Sequence, residues 1–320
     1  MKIELAPMEG ITSYVYRNAL NKYYGGIDTY FTPFISTHKD KELNFKEKKE
    51  INPENNKGYK LIPQILTSDA DEFLYTSGQI AAFGYDEVNL NFGCPSGTVT
   101  TKAKGAGALQ DISRLERLLD NIFEKTNLKI SIKTRMGYSD VNHFEEILNV
   151  YSKYPLTELI IHARIREEFY NGKARLSDLS EYSWTAFKET NSQKTASKET
   201  PCYVYNGDVY SVSDFENVKR TLPEFSGVML GRGIISKPWL ARDIKNGVET
   251  LDVELGTFKA FNHELIDGYD AIMPGEKNTL FKLKELWTYM IKAFDDDKKL
   301  LKSVKKTNSL KEYERIIDSL

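Results

Sequence analysis

The sequence predicts an α/β chain, a (β/α)8 (TIM) barrel over residues 1–241 followed by a helical bundle over residues 242–320. Three observations predict it. Short strand-like runs recur along the first three-quarters of the chain, amphipathic helical stretches separate them, and the strand signal stops after Trp239. The runs are Lys2–Ala6, Asp28–Phe34, Leu61–Leu66, Glu87–Phe92, Leu128–Arg135, Glu158–Arg164, Cys202–Asp208 and Gly227–Arg232. Strand starts come roughly every 25 to 45 residues, as expected of β/α units that fill a barrel of about 250 residues. A doubly wound open sheet competes with this reading. It more often opens with a Gly-x-Gly-x-x-Gly turn, whereas the first strand here ends in Ala6-Pro7-Met8-Glu9-Gly10.

Between the strands, Asp69–Phe83 and Ile112–Lys125 carry apolar residues at helical spacing. Residues Lys39–Glu50 read as a mixed-charge loop, and Glu189–Thr200 as a polar surface loop before the seventh strand. In Glu276–Phe294 the residues Leu280, Leu283, Trp287, Met290, Ile291 and Phe294 form one apolar stripe, which predicts a small bundle. Lys298, Lys302, Lys305 and Lys306 then share a helix face, either solvated or in contact with phosphates.

Composition bounds the function. With 320 residues and 40% hydrophobic content the chain can bury a sizeable core. Its 44 basic and 46 acidic residues nearly cancel, so any nucleic-acid contact must come from a local patch. The N-terminus holds no apolar run long enough for a signal peptide or a membrane span, so a cytoplasmic protein without membrane attachment is expected. Cys94 and Cys202 are the only cysteines, with no Cys-x-x-Cys pair and no His cluster, so neither a disulfide scaffold nor a metal site is expected.

The ends of the strands carry the chemistry, because side chains there converge on one mouth of a barrel. Strand one delivers Pro7-Met8-Glu9, strand three Gln64, strand four Asn91 and Cys94, and strand five Lys133 and Arg135. Strand six adds His162 and Arg164, strand seven Asn206-Gly207-Asp208, and strand eight Gly231-Arg232-Gly233. Cys94 sits in a turn between polar residues and a proline, expected to be exposed, which suits a reactive thiol. Lys133, inside an apolar strand, needs either a neighbouring carboxylate or an anionic ligand to offset its desolvation. Gly207, Gly231 and Gly233 follow strands seven and eight, the usual barrel phosphate site, where backbone N–H groups can approach an anion.

Taken in order, these blocks resemble the tRNA-dihydrouridine synthases. The blocks are Ala6-Pro7-Met8 with Arg17 downstream, Gln64, Asn91-x-Gly93-Cys94-Pro95 followed by Gly105-Ala106-Gly107-Ala108-Leu109, and Lys133-x-Arg135. His162-Ala163-Arg164, Asn206-Gly207-Asp208 and Gly227 through Gly233, ending in Pro238-Trp239, complete the set, which spans residues 5 to 240. Ser13 stands where many members have Asp, and Tyr16 replaces a usual Phe. The resemblance implies an FMN cofactor re-reduced by NADPH or NADH, a tRNA substrate and a specific uridine as target. Uracil is electron-poor at C6, so hydride adds there and a proton at C5, and the resemblance makes Cys94 the proton donor. It places Lys133, Gln64 and His162 at the isoalloxazine, with the Pro7, Met8 and Glu9 backbone beside the ring. It places Asn206, Gly207, Asp208, Gly231 and Arg232 on ribityl and phosphate, and Asn91 and Arg135 on a flipped uracil. Arg164 and Arg166 stay divided between RNA contact and surface ion pairing. The helical domain is expected to read tRNA shape, and the protein to act as a monomer. Two rivals remain: a flavin dehydrogenase of a free pyrimidine, and a non-catalytic RNA-binding barrel.

Overall fold

A computed structural model of the chain describes residues 1–39, 41–184 and 202–320. Its strands are β1 (Lys2–Leu5), β2 (Thr29–Phe31), β3 (Ile35–Ser36), β4 (Leu61–Ile62), β5 (Gln64–Leu66), β6 (Glu87–Phe92), β7 (Lys129–Arg135), β8 (Leu156–His162), β9 (Cys202–Asn206) and β10 (Gly227–Leu230). All pair in parallel, in the order β3-β5-β6-β7-β8-β9-β10-β1-β2-β4. The expected second and third strands are each split in two, by Pro33 and Pro63, which lack the N–H a ladder needs. Tyr30 pairs with Leu61 and Ile35 with Ile65, so the two broken strands run side by side and the sheet closes on itself. Thr32 bridges the break by accepting a hydrogen bond from the Gln64 N–H at 3.0 Å on its Oγ1. The fold is the expected (β/α)8 barrel.

Alternation along each strand sorts side chains between the helix layer and the barrel interior. On β6, Val88, Leu90 and Phe92 join the main core beneath the helices, while Asn89 and Asn91 belong to the interior. Ala6, Phe31, Ile62, Ile160, Val204 and Met229 form a separate apolar plug inside the barrel. Glu4 and Glu158 are buried at the opposite, N-terminal end of the strands from the polar site.

The helix Ile112–Lys125 has the predicted bounds, and Asp111 caps it by accepting from the Arg114 N–H. The other predicted helix runs Ala70–Ala81, capped by Asp69. Residues Lys39–Glu50, expected as a loop, instead contain the helix Phe45–Ile51. Its start is a capping box in which Asn44 and Glu47 satisfy each other's backbone N–H groups. The expected loop at Glu189–Thr200 lies outside the described residues.

After β10 the described chain is helical: Arg232–Ser236, Leu240–Asn246, Leu255–Asp270, Glu276–Met290 with a 3-10 turn at Ile291–Phe294, Lys298–Lys306 and Leu310–Asp318. The predicted stripe is buried from Leu280 to Ile291 and gains Leu286. The expected boundary between 241 and 242 runs through Leu240–Asn246, which buries Leu240, Ala241, Asp243 and Ile244. The helix Leu255–Asp270 lies tight on the barrel helix Tyr14–Tyr23. A methyl at Gly268 would come within 2.6 Å of Val15, and the Phe261 ring packs edge-on against Tyr16 and Tyr24. No helix of the described residues is long and apolar enough to cross a membrane.

Candidate active site

The turn after β6 that carries Cys94 is held from several directions. Asn91 Oδ1 accepts from the Gly93 and Cys94 N–H groups at 3.0 and 2.9 Å. Arg135 Nε donates to the Gly93 carbonyl at 2.8 Å, Arg166 Nε to the Pro95 carbonyl at 3.1 Å, and the Ala106 N–H to the Cys94 carbonyl at 3.0 Å. Gly105, at φ +56°, passes so close that a Cβ there would meet the Cys94 carbonyl oxygen at 2.8 Å. Cys94 is half-buried, not exposed as expected, because this loop folds over it. Burial pushes the thiol pKa up, with the Ser96 N–H, Arg135 and Lys133 opposing and Glu9 adding to the rise. The thiol therefore keeps its proton at neutral pH.

A directed chain of amides lies beneath the turn. Asn89 donates to Ser131 Oγ at 2.9 Å, Gln64 to Asn89 at 2.8 Å, and Asn91 to Gln64 at 2.8 Å. These polar groups sit inside the barrel, and pairing with one another offsets their desolvation. Asn91 thus spends both ends of its amide, one on Gln64 and one on the Cys94 turn.

Beside this network a narrow cavity opens, lined by Ala6, Pro7, Met8, Lys133, His162, Asn206, Gly231 and Arg232 among others. Lys133 has no hydrogen bond or ion pair with any described residue. Of the two partners open to it, a neighbouring carboxylate is therefore missing among them, and burial with Arg135 nearby lowers its pKa to about 7. His162 is buried at the end of β8, where desolvation and the surrounding cations Arg135, Lys133, Arg164 and Arg232 hold its pKa well below the usual histidine value. It is a neutral imidazole. Asp208, expected at ribityl and phosphate, gives its carboxylate to Arg164 at 2.5 Å and Arg232 at 2.7 Å. Arg164 is buried and also donates to the Asn171 and Gly172 carbonyls, so neither expectation for it, RNA contact or surface pairing, describes it. Arg166 braces the Cys94 loop through Pro95 and Thr100. Arg135 is likewise buried, with its donors on the Gly93, Ile165 and Phe169 carbonyls. One carboxylate among these cations leaves the cavity electropositive, which suits an anionic ligand.

Asn206 lines the cavity and is oriented by donating to the Met229 carbonyl at 2.9 Å. Gly207 and Gly233 have packing reasons to be glycine: a Cβ would strike Tyr205 Oη at 2.1 Å and the Val209 carbonyl at 2.0 Å, respectively. Gly207 and Gly231 line the cavity, and Gly233 does not. Glu9 does not line it; its side chain borders a separate cleft. Sequence reasoning missed Tyr170, which lines the cavity. It stands 5.0 Å from the Arg232 guanidinium, 5.6 Å from that of Arg135 and 6.0 Å from the His162 ring. An aromatic residue in the loop following a site strand was the available signal.

The Dihydrouridine synthase (Dus) family profile matches residues 4–315, nearly the whole chain. The chain belongs to the dihydrouridine synthase family. Among curated relatives, the tRNA-dihydrouridine(16) synthase of Neisseria meningitidis serogroup A is 28% identical, over 99% of this chain and 94% of that protein. The tRNA-dihydrouridine synthase B of Pasteurella multocida is 26% identical over 78% and 70%. Morphinone reductase superposes with a TM-score of 0.51 at 10% identity, covering 80% of this chain and 88% of that one, a likeness of fold. The protein is a flavin-dependent oxidoreductase, and the residues present fit a flavin. The decisive observation is an ammonium, Lys133, set in the barrel mouth with no carboxylate partner among the described residues and open to a cavity rich in cations. In this dihydrouridine synthase the amide chain and Arg135 serve the shape of the Cys94 turn, and Lys133, His162, Asn206 and Arg232 serve the cavity beside it.

Proposed function

We infer that the protein reduces the C5–C6 double bond of a uridine in tRNA, using a bound FMN that NADPH or NADH re-reduces. The observation that carries this reading is a half-buried thiol that keeps its proton, braced beside a cation-rich cavity at the barrel mouth. The flavin, when bound, supplies hydride for uracil C6. Cys94 Sγ delivers the proton to C5, and burial keeps that proton available at neutral pH. Lys133 balances negative charge on the flavin ring, and neutral His162 and Asn206 offer it polar contacts without adding charge. Arg232, half-buried and tied to Asp208, takes the phosphate. Asn91, Gln64 and Arg135 act through the Cys94 turn, since their polar groups are directed at it or at one another. A monomer is the proposed working unit.

Uridine 16 is the proposed target, since a relative aligned over 94% of its own length carries that position in its name. The test is to incubate the flavin-loaded protein and its Cys94→Ala variant with NADPH and unmodified tRNA, then map gained hydrogens by mass spectrometry. A gain at position 16 that the variant largely loses supports the reading. Turnover of free uracil or dihydro-orotate, with unchanged tRNA, overturns it.

A further inference from the structure

We propose that the cleft between the helix Phe45–Ile51 and the helical bundle binds a guanine base of the RNA next to the target uridine. This rests on the reading above and assigns a second subsite to the same substrate. The cleft is a cavity of about 360 Å³, large enough for a base, walled by Phe34 and Phe45 on the barrel side and by Tyr269 and Met273 on the bundle side. Phe45 is 75% exposed, so its ring serves no core. Lys49 Nζ stands over one face of the ring, 4.5 Å from its centroid, so a stacked base would take the other face. Lys46 and Lys49 also line the cleft, placed for flanking phosphates, whereas Lys282 there is buried and paired with Glu285 at 2.7 Å.

The carboxylates of the cleft decide which base. Glu50 is spent on Arg17 at 3.2 Å and the Tyr14 N–H at 3.0 Å, and Glu47 on the Asn44 N–H at 2.8 Å. Glu9 makes no hydrogen bond or ion pair with any described residue, and it borders the cleft. Its two oxygens match the adjacent N1–H and N2–H donors of guanine; cytosine and adenine present a single amino group, and uracil a single N–H between two acceptors. Glu9 is also close enough for its charge to push up the Cys94 thiol, so the cleft adjoins the reacting centre. A base held there would be a near neighbour of the uracil at Cys94.

The test uses flavin-loaded protein and two fluorescently labelled single-stranded RNA hexamers, GUGUGU and its inosine counterpart, which lacks the N2 amine, with binding read by anisotropy. Wild type should bind the guanine hexamer about tenfold more tightly, Phe45→Ala should weaken it about tenfold, and Phe45→Trp should restore it. Glu9→Gln should remove the preference for guanine over inosine. Equal binding of both hexamers by wild type, or wild-type binding by Phe45→Ala, overturns the proposal. The binding assay needs no turnover, so the two readings fail separately. If wild type makes no dihydrouridine but shows the hexamer pattern, the synthase reading fails and the base site stands; dihydrouridine without the hexamer pattern sinks the base site alone.

Discussion

Burial shifts Cys94 and Lys133 in opposite directions and for one reason: a low-dielectric surrounding disfavours whichever form is charged. For Cys94 the neutral form is the acid that the reaction needs. Because the protonated thiol is active, uridine reduction should hold through neutral pH and fall only as pH rises past the ordinary thiol range, and Cys94→Ser should remove that alkaline limb from the pH–rate profile. For Lys133 the folded pKa of about 7 lies below the unfolded value, so the charged lysine costs the flavin-free protein stability. That cost is fully present below about pH 7 and fades as pH rises toward the ordinary lysine value. Lys133→Met should therefore stabilise the flavin-free protein by about 2–4 kcal/mol at pH 6 and by much less at pH 10, read by thermal melting, while the purified variant loses its flavin. At the other end of the barrel Glu4 is buried beside Glu158, and desolvation together with that neighbouring carboxyl raises its pKa well above the usual range. A raised carboxyl pKa weakens folding progressively as pH climbs above the unfolded value of about 4.3. The melting-temperature advantage of Glu4→Gln over wild type should grow between pH 5 and pH 8.

At the scale of elements, the site depends on segments that meet without room to spare. The stretch from Gly105 to Gln110 forms a 3-10 turn against the Cys94 loop, and Gly105 has a left-handed φ in addition to its close approach. Gly105→Ala should displace Cys94 and lower uridine reduction at least tenfold, while flavin absorbance persists because the cavity residues lie on other strands; unchanged turnover would show that the turn tolerates the shift. The breaks at Pro33 and Pro63 shorten the strands but leave Gln64 at a strand start, where Thr32 anchors its backbone and its side chain links Asn91 to Asn89 in the amide chain. The helix Phe45–Ile51 is short enough that the capping box of Asn44 and Glu47 decides whether it forms. A sequence scan for amphipathic periodicity passes over seven residues so rich in charge.

Across the whole molecule, the barrel and the helical region share one continuous core, through Phe261 and Leu265 on one side and Tyr16 and Leu20 on the other. Cutting the chain at 242 should therefore yield an aggregating fragment, which gel filtration would reveal, instead of a folded barrel that merely lacks tRNA binding. Charge reversal leaves the fold intact and tests the same region. Lys298, Lys302, Lys305 and Lys306 are exposed on Lys298–Lys306, and changing all four to Glu should raise the KM for tRNA at least tenfold and flatten its salt dependence, with an unchanged melting temperature. A steep salt dependence that survives the change would move the contact elsewhere. The barrel, the helix Ile112–Lys125, the apolar stripe of Glu276–Met290 and the clustering of Cys94, Lys133 and His162 were legible in the sequence. Periodicity reports which face of an element is buried, and strand ends in a barrel converge by topology. The roles of Asn91, Arg135, Arg164 and Asp208 were not legible, because a polar residue at a strand end looks the same whether it meets a ligand or another protein group. Only the tertiary structure decided that these four are spent on one another and on the loops, that Lys133 is left unpaired among the described residues, and that Glu9 borders a different cleft. Hydrogen-bond partners far apart in the chain are set by packing in three dimensions, and no local pattern encodes them.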